Sequence, residues 1–213
     1  MELTISIEPD EFTDKVAQAF DLEFDGTITT KIPEFSCPPD FNIGMIVGAS
    51  GSGKSQILNH HFDADDWEMG LTALGLNEWN PNKAIVSHFE TPDAAIEKLF
   101  ACGLASVPTL CKPFHVLSNG EKYRATVARR LNDGMILDEF TSEVNRETAK
   151  SLSVALSKYI RRKNIKNVVL CSCHKDIVEW IEPDWVFDCD SGERFVNDDP
   201  KASLKKVAKI EIY

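Results

Sequence analysis

Runs of consecutive apolar residues alternate along the chain with longer stretches that have one apolar face. The runs at residues 43–47, 135–137 and 168–171 contain no charged side chains, which is typical of strands buried on both faces of a parallel sheet. The stretches at 93–102 and 145–162 repeat apolar residues at helical spacing. Strands that alternate with helices predict an α/β fold with a mainly parallel sheet flanked by helices.

The N-terminal part of the chain has a different pattern. Residues 1–8 alternate apolar and polar side chains, and residues 9–20 have the apolar spacing of a helix. Residues 21–26 and 27–32 predict strands on either side of a tight turn. These elements predict an antiparallel β portion before the first buried strand. Further strands are predicted at 83–87, 185–188, 194–196 and 207–213, with a hairpin joining the second and third.

Residues 89–118 predict a short helical lobe. A helix over 93–102 ends at Gly103, and Pro108 and Pro113 bracket a connector. The chain has 213 residues, of which 43% are hydrophobic and 27% charged, and this composition is ordinary for a globular domain. We therefore interpret residues 1–213 as a single domain that includes this lobe.

Charge and hydropathy exclude some function classes. The formal net charge of −11 argues against a general electrostatic nucleic-acid binder, although a local basic patch or a basic partner stays compatible with it. No apolar run approaches the length of a membrane helix, and the N-terminus lacks the pattern of a signal peptide. The sequence thus predicts a soluble, cytoplasmic protein without direct membrane insertion.

The six cysteines are spread widely and form no C-x-x-C pair. Cys171 and Cys173 precede His174, but their spacing is not that of a structural zinc site, and a buried strand leads into them. We expect reduced, mostly buried thiols.

A glycine-rich loop follows the first buried strand. Residues 48–55 match the phosphate-binding pattern G-x-x-x-x-G-K-S/T, and a helix begins directly after them. Such a loop directs backbone N–H groups at one anion, and the helix N-terminus adds partial positive charge. Lys54 is expected to reach the β- and γ-phosphates, and Ser55 to ligate Mg²⁺. The predicted nucleotide-binding residues of this loop are Gly48, Ser50, Gly51, Ser52, Gly53, Lys54, Ser55 and Gln56.

Two carboxylates stand at the end of another buried strand. Asp138 and Glu139 follow the apolar residues 135–137, and ligands bind at the carboxyl edge of parallel sheets. Asp138 is expected to hold Mg²⁺, and Glu139 to act as general base on, or to polarise, the water that attacks the γ-phosphate.

Upstream of the loop, Phe35 is expected in the core, with stacking on an adenine ring as the alternative.

Five short motifs together resemble the ABC-type ATPases. Residues 117–121, Leu-Ser-Asn-Gly-Glu, resemble their signature motif, and residues 136–142 resemble their Walker B strand and its continuation. Residues 142–145 fall where their D-loop falls, His174 where their switch histidine falls, and His88 where their Q-loop glutamine falls.

The resemblance implies a P-loop fold of ABC type, with ATP and Mg²⁺ as cofactors. It implies a dimer in which two copies close head to tail over two ATP molecules. Ser118, Asn119 and Gly120 of one copy would then contact the ATP held by the other. By the same resemblance the catalytic residues are Glu139, His174 and Lys54, and the metal ligands are Ser55, Asp138 and His88.

The motifs depart from the family at several positions. His88 replaces a glutamine, Asn145 replaces the D-loop aspartate, and Asn119 and Glu121 replace a glycine and a glutamine of the signature. The spacer between His88 and Leu117 is short, where transporter ATPases carry the larger lobe that grips a membrane subunit.

A narrower resemblance points to the ATPase half of proteins that fuse a soluble ABC ATPase to a predicted acetyltransferase-fold domain, which also occurs unfused, including in phage-like genomes. It rests on residues 116–125, 137–142, 172–180 and 183–185. It implies a separate protein partner, with an acetyltransferase-fold or nucleic-acid-acting enzyme as the candidate. The alternatives are a transporter subunit, a nucleotide-gated scaffold with little hydrolysis and a P-loop kinase. A scaffold would not need Glu139, and a kinase would not need residues 117–121.

Overall fold

Residues 2–31, 34–62 and 79–196 are described by the structure, which is a computed structural model. The chain divides into two units, residues 1–34 and 35–213. The strand predicted at 207–213 lies outside the described residues.

The first unit contains a two-stranded antiparallel sheet and one helix. Strand β1 (Glu2–Ser6) pairs with β2 (Thr27–Lys31), and helix α1 (Glu11–Ala19) lies between them in sequence. Asp10 caps α1 by accepting the backbone N–H groups of Phe12 and Thr13.

The strand predicted over residues 21–26 is wrong. Residues 22–25 lie outside regular structure, and Asp25 accepts both the backbone N–H and the hydroxyl of Thr27. Gly26 has a left-handed backbone with φ of 85°. This side-chain-closed turn therefore takes the place of an extended strand.

A five-stranded sheet is the centre of the second unit. Its strands are β3 (Ile43–Val47), β4 (Ile136–Leu137), β5 (Val168–Ser172), β6 (Trp185–Asp188) and β7 (Glu193–Val196), in the spatial order β4-β5-β3-β6-β7. β3 runs parallel to β5 and β6, and β4 parallel to β5. β7 returns antiparallel to β6, so the predicted hairpin is confirmed. Every residue of β3 and β5 is buried, as their continuous apolar runs predict.

Six helices are described around this sheet. They are α2 (Lys54–His61), α3 (Pro92–Ala101), α4 (Val107–Leu110), α5 (Asn119–Arg130), α6 (Arg146–Lys163) and α7 (Ile177–Ile181). The apolar stripe of α6 is buried, including Ala149, Leu152, Leu156 and Ile160. Asn145 caps its N-terminus, and Asn164 ends it with a left-handed backbone. In the described part of the chain no helix has the length and apolarity needed to cross a membrane.

The segment predicted as a strand at 83–87 forms instead a 3₁₀ helix, Ile85–His88. Ala84 makes an isolated bridge to Pro113, and Ile85 N–H donates to the carbonyl of Lys112. The His88 ring then bonds back to the Ala84 carbonyl, which closes the turn. A second 3₁₀ helix, Phe114–Val116, follows α3 and α4, so residues 92–116 are largely helical.

Candidate functional site

Four parallel strands bring their carboxyl ends to one edge of the sheet. β3 leads into the glycine-rich loop, β4 into Asp138, β5 into His174, and β6 into Asp188. Cys189 N–H donates to the carbonyl of Val47 at 2.8 Å, which ties the ends of β6 and β3 together. This edge is where open α/β sheets bind ligands.

The loop of residues 48–55 depends on its glycines. A Cβ added at Gly48 would lie 2.5 Å from Ser52 Oγ and 2.9 Å from Cys189 Cβ, so only glycine fits there. Gly53 precedes α2 with φ of 92°, and no side chain caps that helix. The first N–H groups of α2 therefore remain available to a ligand, as at other anion-binding helix ends.

Lys54 lies folded against the loop. Its side chain is 5% exposed, and Nζ donates to the carbonyls of Gly48 at 2.9 Å and Ala49 at 2.7 Å. Those carbonyls hold the ammonium against the backbone of the loop, and the oxygens of a bound phosphate would compete with them for it. Gln56, in the first turn of α2, is half-buried, and Ser50 is exposed.

Ser55 and Asp138 meet although they lie far apart in sequence. Ser55 Oγ donates to Asp138 Oδ2 at 2.6 Å, and Glu139 N–H donates to Asp138 Oδ1 at 2.8 Å. A hydroxyl and a carboxylate are oxygen ligands of the kind that Mg²⁺ binds. A protein usually supplies one or two carboxylates to the ion, and phosphates and waters complete its coordination shell. No cluster of three or more His, Cys, Asp or Glu side chains suited to a metal occurs in residues 2–31, 34–62 and 79–196. The Ser55 hydroxyl and the Asp138 carboxylate are ligands of the type that suits a magnesium ion shared with a phosphate group.

Glu139 is exposed and has a left-handed backbone with φ of 53°. Phe140 N–H donates to the carbonyl of Cys171 at 2.7 Å, and Thr141 N–H donates to the hydroxyl of Tyr123 at 2.9 Å. Burial raises the pKa of Tyr123, so its hydroxyl stays protonated. The turn after β4 is thus held on both sides, with its carboxylate facing solvent.

His174 stands at the end of β5. Its backbone N–H donates to Ser172 Oγ at 3.1 Å, and its side chain is exposed. The structure thus brings His174, Asp138 and the loop to one sheet edge, as the sequence predicts.

Lys175, Asp188 and Asp190 form a charged cluster beside the loop that is not predicted from the sequence. Lys175 Nζ pairs with Asp188 at 2.7 Å and Asp190 at 3.0 Å, and Asp190 Oδ1 accepts the N–H of Ala49 at 2.9 Å. Burial opposes ionisation of Asp190, but the bonds from Ala49 and Lys175 outweigh it and lower its pKa. The signal in the sequence is the apolar run before Asp188, which becomes informative only once β6 is known to lie parallel to β3.

The signature-like segment begins α5. Ser118 Oγ and the Ser118 N–H both donate to Glu121 Oε2 at 2.9 Å, and Glu121 N–H returns a bond to Ser118 Oγ at 3.4 Å. These two hydrogen bonds from Ser118 lower the pKa of Glu121, and the bond from the Ser118 backbone N–H has the larger effect. Ser118 and Asn119 are exposed and Gly120 half-buried. Among the hydrogen bonds of the described residues, none joins this segment to the loop at 48–55.

His88, a predicted metal ligand, lies in a hydrogen-bonded turn. Its Nδ1 bonds to the Ala84 carbonyl at 2.9 Å, and its Nε2 accepts Asn80 N–H at 2.9 Å. Both ring nitrogens are therefore in use, and the ring packs on Trp79 at 4.9 Å between centroids. In this conformation the side chain has no lone pair to offer a metal ion.

Phe35 belongs to an aromatic cluster in the core. It is 9% exposed, and its ring lies 5.2–5.9 Å from four other rings. These belong to His61, Phe62, Trp185 and Phe187. The expected core position holds, and a face for adenine stacking is not exposed.

No protein-family model matches the sequence, and no curated protein matches it. Among solved structures, the chain is similar to a dimeric post-hydrolysis state of the ATP-binding cassette MJ0796 bound to ADP and Pi. The TM-score is 0.55 and the identity 17%, covering 82% of this chain and 93% of that chain. The chain is also similar to a dimeric structure of MJ0796, described as a bacterial ABC transporter cassette. The TM-score is 0.48 and the sequence identity 18%, and the match covers 76% of this chain and 84% of that chain. The first likeness shows that the chain has the ATP-binding cassette fold, a P-loop α/β fold with a mostly parallel sheet flanked by helices.

Proposed function

We propose that this protein is a Mg²⁺-dependent ATPase of the ABC type, which binds ATP and closes on it as a head-to-tail dimer. The observation that supports this most directly is the 2.6 Å hydrogen bond between Ser55 and Asp138, beside a loop whose lysine is already folded inward. That arrangement provides a lysine, backbone N–H groups and two metal-ligating oxygens around one anion position.

The chemistry follows from positions at the sheet edge. Lys54 and the N-terminal amides of α2 would hold the phosphates, while Ser55 and Asp138 would hold Mg²⁺, which neutralises charge on the phosphates when bound. Glu139, exposed on a turn fixed at both sides, would orient and polarise the attacking water. His174, at the end of β5, would contact the γ-phosphate.

A second copy would complete the site. Ser118 and Asn119 are exposed at a helix N-terminus and make no hydrogen bond to the loop of their own chain in the described residues. The ATP-binding cassette MJ0796 has been solved as a dimer bound to ADP and Pi. By analogy, the signature segment of one chain would contact the γ-phosphate held by the other, so that ATP joins the dimer and hydrolysis releases it.

The output of this cycle would act on another protein. We take residues 1–213 as one ATPase domain whose ATP-driven association drives a separate partner, with an acetyltransferase-fold or nucleic-acid-acting enzyme as the candidate. The stretch with α3, α4 and the second 3₁₀ helix, residues 92–116, is short for a lobe that grips a membrane subunit. This disfavours the transporter alternative.

The test is the variant Glu139→Gln, studied with ATP and Mg²⁺ by light scattering coupled to size separation. We expect it to form a stable ATP-dependent dimer, because phosphate and metal binding survive while water activation fails. Glu179→Gln makes the same chemical change at an exposed acid on α7 and should behave like the unaltered protein. A Glu139→Gln protein that stays monomeric at saturating ATP would refute the dimer, and one that binds no ATP would refute the whole assignment.

A further inference from the structure

A hydrogen bond joins helix α5 to the turn that carries Glu139. The hydroxyl of Tyr123, in the second turn of α5, accepts the backbone N–H of Thr141 at 2.9 Å. Both residues are buried, with Tyr123 4% and Thr141 1% exposed. Breaking the bond would leave a buried N–H without a partner, which is energetically costly. The hydrogen bond therefore holds the helix and the turn at a fixed distance.

The turn itself has an unusual backbone. Glu139 and Thr141 have φ angles of 53° and 72°, in the left-handed region that residues with a Cβ seldom occupy. Such conformations persist only where several contacts enforce them. Phe140 N–H holds the turn to β5 through the Cys171 carbonyl, and Tyr123 holds it to α5. The direction of the Glu139 side chain therefore depends on both attachments.

A second contact links the same two elements nearer the start of α5. A Cβ added at Gly120 would lie 3.8 Å from the carbonyl oxygen of Glu143 and 3.8 Å from Cγ1 of Val144, so the glycine faces the end of the turn. Because Gly120 and Tyr123 lie on one helix, both contacts move together when the helix moves. The first turn of α5 and the turn at 138–144 thus form one connected block.

We propose that Tyr123 is a positioning residue that links the signature-like segment to the Glu139 turn of the same chain and thereby couples the two ATP sites of the dimer. This rests on the proposed head-to-tail dimer. In that dimer, Ser118 and Gly120 contact the nucleotide of the opposite site, whereas Glu139 acts on the nucleotide of its own site. A shift of α5 caused by one ATP is passed through Tyr123 to the water-activating carboxylate of the other site.

The variant Tyr123→Phe removes one oxygen atom and tests this link. We expect ATP affinity to stay within about twofold, since no phosphate contact is lost, whereas kcat falls about tenfold or more because the carboxylate is no longer held in place. The Hill coefficient for ATP hydrolysis should fall towards one. Tyr159→Phe, at a tyrosine that is 6% exposed on α6, is the matched control and should change neither quantity.

Amide hydrogen exchange tests the link without altering Tyr123. In Glu139→Gln, ATP-driven dimerisation should slow exchange at the Thr141 N–H. In Ser118→Arg, which binds ATP but is expected not to dimerise, the same N–H should show no slowing. Slowing in Ser118→Arg would overturn the inference, because ATP in the same chain would then suffice.

The two levels of the proposal fail differently. If the unaltered protein hydrolyses ATP cooperatively as a dimer and Tyr123→Phe does so equally well, the role of Tyr123 is refuted and the proposed function stands. If the unaltered protein neither hydrolyses ATP nor dimerises with it, both are refuted.

Discussion

The hydroxyl of Ser55 donates a hydrogen bond to Oδ2 of Asp138 at 2.6 Å, although 83 positions separate the two residues. Exchange of Asp138 for asparagine keeps the size of the side chain and removes its charge. We expect Asp138→Asn to weaken Mg²⁺-supported ATP binding by roughly tenfold or more, since the amide is a poor ligand for a hard cation, and to change metal-free ATP binding little. Titration calorimetry with and without Mg²⁺ measures both.

Asp93→Asn, at an exposed acid in the first turn of α3, is the control for charge alone. Equal losses of binding with and without Mg²⁺ in Asp138→Asn would mean that Asp138 supports the loop rather than the metal.

Lys54→Ala should lower ATP affinity by roughly tenfold or more. The variant removes the ammonium that lies against the Gly48 and Ala49 carbonyls and is proposed to bind the phosphates. Fluorescence titration with a labelled ATP analogue measures the effect, and Lys83→Ala, at an exposed lysine, serves as control. Undiminished affinity in Lys54→Ala would refute the assignment of the phosphate-binding loop.

Ser118→Arg should leave ATP binding to the single chain intact and prevent ATP-dependent dimerisation, since a long cationic side chain replaces a small one where two copies are proposed to meet. Turnover should fall with the dimer. Light scattering and a phosphate-release assay follow both, with Ser106→Arg at another exposed serine as the comparison. Unchanged turnover in Ser118→Arg would contradict a role for this segment in the opposite site.

Gly44→Ala should destabilise the fold. A Cβ at Gly44 would lie 2.0 Å from Cζ2 of Trp185, which is fully buried and cannot move aside. We expect the free energy of unfolding to fall by about 2–3 kcal/mol. At Gly134 φ is 73°, and an added Cβ would meet no atom within 4 Å apart from those of its chain neighbours. Alanine there suffers backbone strain alone, about 1 kcal/mol. Urea denaturation compares the two, and equal losses would contradict the packing argument.

The charge on Glu121 should stabilise the start of α5 in a pH-dependent way. The Ser118 N–H and hydroxyl bonds lower the pKa of Glu121 from its ordinary value of 4.5, so the folded state favours the ionised form. The contribution is therefore present above about pH 4.5 and disappears as the pH falls through the lowered pKa. Glu121→Gln should be less stable than the unaltered protein at pH 7, and the difference in urea midpoint should shrink in acid. A difference that grows in acid would show the opposite sign of linkage.

Local patterns were sufficient for much of the site. The loop at 48–55 and the carboxylate at Asp138 each follow a buried strand, and the rule that parallel strands share one edge brings them together. Asp190 could not be found in this way, because it lies in a hairpin turn and reaches Ala49 only through the pairing of β6 with β3. Tyr123 was equally hidden, since its bond to Thr141 joins two elements whose packing no periodicity reveals.

Hydrogen bonds that the apolar pattern does not reveal overrode the strand predicted at 83–87. The apolar residues at 83–87 predict a strand, yet Ala84 pairs with Pro113 in an isolated bridge and residues 85–88 coil into a 3₁₀ helix. The His88 ring bonds back to the Ala84 carbonyl. The metal role of His88 stays a prediction, and it would require breaking the bonds that the ring makes with Ala84 and Asn80.

The bond between Ser118 and Glu121 has a consequence for association. Glu121 Oε2 occupies the Ser118 hydroxyl proton and its backbone N–H at 2.9 Å each, the same donors that an incoming phosphate oxygen would need. The carboxylate is in effect a resident substitute for the anion. In the proposed dimer, a triphosphate bound to the neighbouring chain would compete with the carboxylate for both donors, whereas a neighbouring chain without nucleotide would bring no phosphate to compete. In the proposed dimer, association would therefore require the bound nucleotide to replace Glu121 at the Ser118 donors.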